Sequence, residues 1–107
     1  MITKDDLLFE AETPLGFRIQ VTRGRWELIV SEKHPVMAGR ASDVRLALES
    51  PDEIRQSRTN AAVFLFYKSE RAQRWVCAVA KRSEDLGFLI TAYPTDAIKE
   101  GVRVWPR

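Results

Sequence analysis

Apolar and polar positions alternate early in the chain, where Phe17, Ile19 and Val21 are interleaved with Arg18 and Gln20. Alternation with a period of two marks a half-buried strand. With residues 7–11 ahead of it and Thr13-Pro14-Leu15-Gly16 between, this predicts an amphipathic hairpin of 7–11 and 17–22. The period then lengthens. Trp26, Ile29 and Val30 fall at i, i+3 and i+4, which predicts a helix over about 23–33 with Thr22 as its N-cap. His34-Pro35 ends that helix, because the residue before proline is pushed out of the α region and proline lacks the donor for another turn. After a loop through Met37-Ala38-Gly39, Ser42 reads as an N-cap with Asp43 in the first turn. Val44, Ala47 and Leu48 form the stripe of a second, shorter helix, stopped at Ser50-Pro51.

The second half is richer in β-branched and aromatic residues. Residues 61–68, 74–81 and 87–93 are three apolar runs joined by short polar stretches, the spacing of an antiparallel meander. Both faces of the middle run are apolar: Trp75, Cys77 and Val79 on one, Val76, Ala78 and Ala80 on the other. That predicts a central strand covered on each side. In the third run, strict alternation sets Phe88, Ile90 and Ala92 on one face and Leu89, Thr91 and Tyr93 on the other. Thr95 then caps a single helical turn over 96–100, Gly101 takes a left-handed closing conformation, and residues 102–105 return as an edge strand. The expected fold is α+β: an N-terminal hairpin (1–22), then a core (23–105) of two helices packed on a three- to four-stranded antiparallel sheet, in one domain. The helices cover one sheet face and leave the other for a site.

Composition narrows the class. At 107 residues, 45% hydrophobic and 30% charged, the chain can bury a core of its own. The net charge is only +2, but four acids and one lysine fall in the first twelve residues, leaving sixteen bases against eleven acids beyond them. That excess suits a polyanionic partner without amounting to a basic tail. One cysteine, Cys77, and one histidine, His34, can build neither an internal disulfide nor a Cys/His zinc cage, so no structural metal and no cofactor is expected. The longest apolar run, from Trp75 to Ala80, is too short to span a bilayer, and the N-terminus lacks a secretory pattern. The expectation is a cytoplasmic protein with no membrane partner.

There is no Walker or dinucleotide glycine loop and no nucleophile elbow. What remains suits phosphate binding and metal-independent phosphodiester cleavage: arginines, lysines, hydroxyls and a single imidazole. His34 at a helix end reads either as a cap bonding the last carbonyls or as a general acid or base. Arg55 and Ser57, at i and i+2, read as a phosphate clamp, or else Asp52, Glu53, Arg55 and Arg58 form a salt-bridged connection. Tyr67 and Lys68 end a strand and point to opposite faces, so at most one lines a given site. Thr91 and Tyr93 serve either cross-strand packing or substrate contact. Trp26, Phe64, Phe66, Trp75, Phe88 and Trp105 read as core aromatics and Cys77 as a small buried hydrophobe.

Several motifs occur in order: Trp26-x-x-Ile29 with His34-Pro35, then Pro51-Asp52-x-Ile54-Arg55-x-Ser57, then a strand ending Tyr67-Lys68. The last is Gly87-Phe88-x-Ile90-Thr91-Ala92-Tyr93-x-Thr95-x-x-Ile98-Lys99-x-Gly101 with Trp105. This series, spanning roughly 23–105, resembles the small prophage and mobile-element nuclease-like domains of the barnase–EndoU–colicin–RelE class. The resemblance implies a toxin-like or phage-associated, metal-independent endoribonuclease that cleaves RNA through its 2′-hydroxyl, with the site on the open sheet face. It makes His34 the general acid or base and Arg55 the group that stabilises charge on the scissile phosphate. Ser57 and Thr91 orient that phosphate, and Lys68, Tyr93 and Arg58 are supporting substrate contacts. The class usually carries arginine where Lys68 stands; lysine keeps the charge without the bidentate fork. An antitoxin or immunity protein is the implied protein partner. The competing expectation is a non-catalytic nucleic-acid- or protein-binding module of the same fold.

Overall fold

A computed structural model describes residues 6–107. Its seven strands form one mixed sheet: β1 (Leu7–Glu12), β2 (Arg18–Thr22), β3 (Glu53–Gln56), β4 (Val63–Arg71), β5 (Arg74–Ser83), β6 (Leu86–Thr95) and β7 (Val102–Trp105). The order across the sheet is β1-β2-β6-β5-β4-β3-β7. Two helices, α1 (Arg23–Leu28) and α2 (Ala41–Glu49), lie in the connection between β2 and β3. The class is α+β, as the patterning predicts, but the sheet has seven strands where three or four are expected. The N-terminal hairpin is not an appendage: β2 pairs with β6 in parallel, Arg18 opposite Leu86 and Gln20 opposite Phe88, and so extends the meander. The pairing depends on Gly87, where a Cβ would meet the Phe17 ring and the Lys81 carbonyl oxygen, each at 3.0 Å.

The core lies between this sheet and the helices. Ala11, Phe17, Ile19 and Val21 from the hairpin meet Ile29, Met37, Val44, Ala47 and Leu48 from the helical connection and Phe66, Val76, Ala78 and Ala80 from the meander. Small side chains on β5 let α2 pack directly onto the central strand. Thr22 caps α1 by accepting a hydrogen bond from the Arg25 amide at 3.1 Å. The predicted second cap moves: α2 begins one residue before Ser42, with Arg40 as N-cap and its guanidinium donating to Asp43 at 2.9 Å.

The first helix does not end as a plain α-helix. Ile29–Lys33 form a π turn, in which the His34 amide reaches back five residues to the Ile29 carbonyl at 2.6 Å, and Pro35–Met37 follow as a 3₁₀ turn. Because β2 pairs only with the start of β6, these turns pack beside the later half of β6.

Two further expectations are corrected. A bulge in β6 sets Thr91 opposite Val79 but Leu89 opposite Ala80. Strict alternation therefore breaks at Ile90: Leu89 joins Ala92 in the core, while Phe88 emerges 44% exposed instead of lying in the core. Residues 96–100 form no helical turn; Thr95 Oγ1 instead accepts from the Ala97 amide and donates to the Ala97 carbonyl, making a local turn after the strand. Gly101 does take the left-handed conformation, at φ +79°, and β7 is an edge strand. No helix among the described residues is long and apolar enough to cross a membrane.

Candidate functional site

The sheet face away from the helices carries its own smaller cluster. Tyr67 on β4, Cys77 on β5 and Tyr93 on β6 are direct cross-strand neighbours, so their side chains share this face, with Leu65, Trp75, Val79 and Ile98 packed around them. Tyr67 and Cys77 are buried, Tyr93 half-buried. Burial pushes the Cys77 thiol up to about 12, only partly offset by the two phenols beside it. The same desolvation, with the thiol next to them, raises both phenols above the usual tyrosine range. All three groups are therefore neutral at physiological pH, which suits hydrogen bonding and not nucleophilic attack by the thiol.

The segment after β6 crosses this face and is pinned by Arg55. Its guanidinium donates from Nε to the Glu100 carbonyl at 2.8 Å and from Nη2 to the Gly101 carbonyl at 2.8 Å. Nη1 donates to Glu53 Oε2 at 2.7 Å. Two recesses flank the pinned segment. One, about 340 Å³, is lined by Ser57, Arg58, Thr59, Lys99, Gly101 and neighbours. The other, about 140 Å³, is lined by Tyr67, Tyr93, Thr95, Asp96, Lys99 and Glu100. Lys99 and Glu100 belong to both walls, so the recesses adjoin. Lys99 and Arg58 bring positive charge without an ion pair among the described residues.

His34 stands beside this region. The π turn carries it to the free part of the β6 edge, where its ring centroid lies 5.3 Å from that of Tyr93 at an interplanar angle of 43°. Tyr93 thus touches the imidazole and also forms part of the smaller recess.

The residues singled out from sequence are distributed unevenly. His34 and Tyr93 meet, and Ser57 and Arg58 share a recess. Ser57 Oγ accepts from the Thr59 amide at 3.2 Å and the Asn60 amide at 3.3 Å, so it also shapes the turn after β3. Arg55 lies on the open face, but each of its three nitrogens already has an acceptor. Thr91 also lies on that face, with Oγ1 buried and without a hydrogen-bond partner. Lys68 alternates to the helix side of β4 and reaches Asp52 at 3.8 Å, away from Tyr67 and Tyr93. Lys99 and Thr95, not among those candidates, line the recesses. Their signal was their place in the final motif, beside the glycine that turns the chain back over the sheet.

Among the described residues no three His, Cys, Asp or Glu side chains gather as a metal-holding group. No family model matches the chain, and neither does any curated protein or solved structure.

Proposed function

We propose that this chain is an endoribonuclease-like domain of the barnase–EndoU–colicin–RelE class, toxin-like or phage-associated, that takes RNA across its open sheet face. The observation that carries the reading is the contact of His34 with Tyr93, at the wall of a recess that shares Lys99 with the one lined by Ser57, Arg58 and Thr59. An imidazole for proton transfer, two unpaired cations for a phosphate and several hydroxyls to orient it are the groups that phosphodiester cleavage by an internal 2′-hydroxyl requires.

In this reading His34 removes the 2′-hydroxyl proton, the freed oxygen attacks phosphorus, and the 5′-oxygen departs and is protonated from water, leaving a cyclic phosphate. Lys99 and Arg58 stabilise the charge that builds on the phosphoryl oxygens. Arg55 takes a different part from the one its sequence context suggests: it is a positioning residue that holds the backbone carrying Lys99. Tyr93 fixes the His34 ring.

The test is incubation of the pure protein with RNA in the presence of a chelator, beside His34→Ala and Lys99→Ala. The expected result is cleavage by the parent protein, its loss in His34→Ala and a reduction of about a hundredfold or more in Lys99→Ala. Undiminished cleavage in both variants overturns the assignment. A second reading, a non-catalytic RNA-binding module, is favoured by the engaged Arg55 guanidinium and the buried Thr91 hydroxyl. It predicts binding that weakens steeply with salt and yields no product.

A further inference from the structure

The same sheet face continues past the recesses onto β2 and the start of β6, where it becomes apolar and open. The β6 bulge and the contact of Gly87 with Phe17 turn Leu86 and Phe88 outward, 41% and 44% exposed. Together with Gln20, Ser83 and Gly87 they line a shallow recess of about 250 Å³. Lys81 is the direct cross-strand neighbour of Phe88 and is exposed, with no ion pair among the described residues. The acids of the hairpin beside it are engaged: Glu10 accepts from Gln20 Nε2 at 3.1 Å, and Arg18 pairs with Glu12 at 3.3 Å and with Glu10 at 4.0 Å. Glu84 and Asp85, in the turn between β5 and β6, are exposed.

An exposed aromatic ring on a sheet, flanked by a free cation, is what an unpaired nucleobase needs: a flat apolar surface for stacking and a charge for the adjoining phosphate. A buried-core role does not explain Phe88, since strict alternation would have turned it inward and the bulge turns it out. We propose that Phe88 is the stacking platform for one unpaired base of the RNA, with Lys81 holding its phosphate. This inference rests on the RNA reading above and deepens it: the substrate is single-stranded at this position, and Phe88 sets that preference while Lys81 does not. Thr91, further along the face of β6, separates the platform from Tyr93, so the stacked nucleotide is distinct from the one at His34.

The experiment measures binding of a short single-stranded RNA and of a duplex of equal length by fluorescence anisotropy, in a His34→Ala background that prevents turnover. Phe88→Ala is expected to weaken single-strand binding about tenfold and duplex binding by less than twofold, with Phe88→Trp restoring the single-strand affinity. Lys81→Ala is expected to weaken both and to reduce the salt slope by about one. Phe88 is exposed, so an unchanged melting temperature identifies an intact fold. If RNA binds and Phe88→Ala has no effect, or affects strand and duplex alike, the platform is overturned while the RNA reading stands. If neither RNA binds, both fall together.

Discussion

Arg55 and Gly101, 46 positions apart, are joined by a 2.8 Å hydrogen bond from the guanidinium Nη2 to the glycine carbonyl. With the parallel bond from Nε to Glu100 and the ion pair to Glu53, this side chain ties the segment that crosses the open face to strand β3. Arg55→Ala leaves two carbonyls and a partly buried carboxylate without their donor. The expected loss of stability is about 2–3 kcal/mol, because charged hydrogen bonds are each worth roughly 1.5–3 kcal/mol and do not add fully. Arg55→Lys should recover less than half of it, since an ammonium cannot present the fork. Urea unfolding of the three proteins measures this, and amide exchange should accelerate first around residues 99–102.

Gly101 itself tolerates no side chain. Its φ of +79° is strained for any L-residue, and a Cβ there would collide with the Gln56 carbonyl oxygen. Gly101→Ala is therefore expected to cost about 2 kcal/mol or more. If the domain acts on RNA as proposed, it should also lower that activity, because the displaced segment carries Lys99. A variant as stable and as active as the parent would show that the turn is not needed in this form.

Much of the architecture was legible because it follows from periodicity: Phe17, Ile19 and Val21 are buried as their alternation requires, and β5 is central as its two apolar faces require. What escaped depends on events that periodicity does not encode. The bulge at Ile90 reverses the face of Phe88, the π turn shifts His34 by one residue, and parallel pairing of β2 with β6 is a non-local choice with no local signature. At the candidate site, Arg55, Thr91 and Tyr93 share the open sheet face, as the alternation along their strands allows. Only the fold reveals that the Arg55 nitrogens are engaged and that Lys68 lies on the other side.

His34 and Tyr93 meet ring to ring, with centroids 5.3 Å apart, while the Tyr93 hydroxyl faces the Cys77 thiol. If the domain cleaves RNA as proposed, Tyr93→Phe keeps the ring and should leave that cleavage within about threefold of the parent. Tyr93→Ala frees the imidazole and should reduce kcat by about a hundredfold, the cost of losing a positioned proton-transfer group. Urea unfolding separates positioning from folding: a loss of kcat at an unchanged urea midpoint marks a positioning role, whereas simple destabilisation would lower the midpoint. Equal losses in Phe and Ala variants would assign the role to the hydroxyl.

Burial pushes the Cys77 thiol up to about 12, so folding favours its neutral form. The free thiol titrates near pH 8.5. The stabilisation is thus fully present below about pH 8.5 and is lost as pH rises towards the folded value. Tyr67 and Tyr93 are raised for the same reason and begin to contribute above about pH 10. The urea midpoint should decline from about pH 8.5 upward, and Cys77→Ala should delay that decline to about pH 10 at a cost near 1 kcal/mol at neutral pH. Thiol reagents should modify Cys77 only on unfolding. A decline that starts at the same pH in the alanine variant would assign it to other groups.

Thr91 Oγ1 is buried with no partner, although its strand neighbours place it on the open face between Val79 and Tyr93. A buried hydroxyl without a hydrogen bond opposes folding by about 1–3 kcal/mol, and replacing it with a methyl of the same shape removes that cost. Thr91→Val is therefore expected to be neutral or to raise stability by about 1 kcal/mol. Its effect on RNA cleavage decides what the hydroxyl does. Activity retained within twofold makes Thr91 a packing residue, whereas a loss of tenfold or more at unchanged or improved stability would mean that the site opens on binding RNA and that the hydroxyl then meets the phosphate.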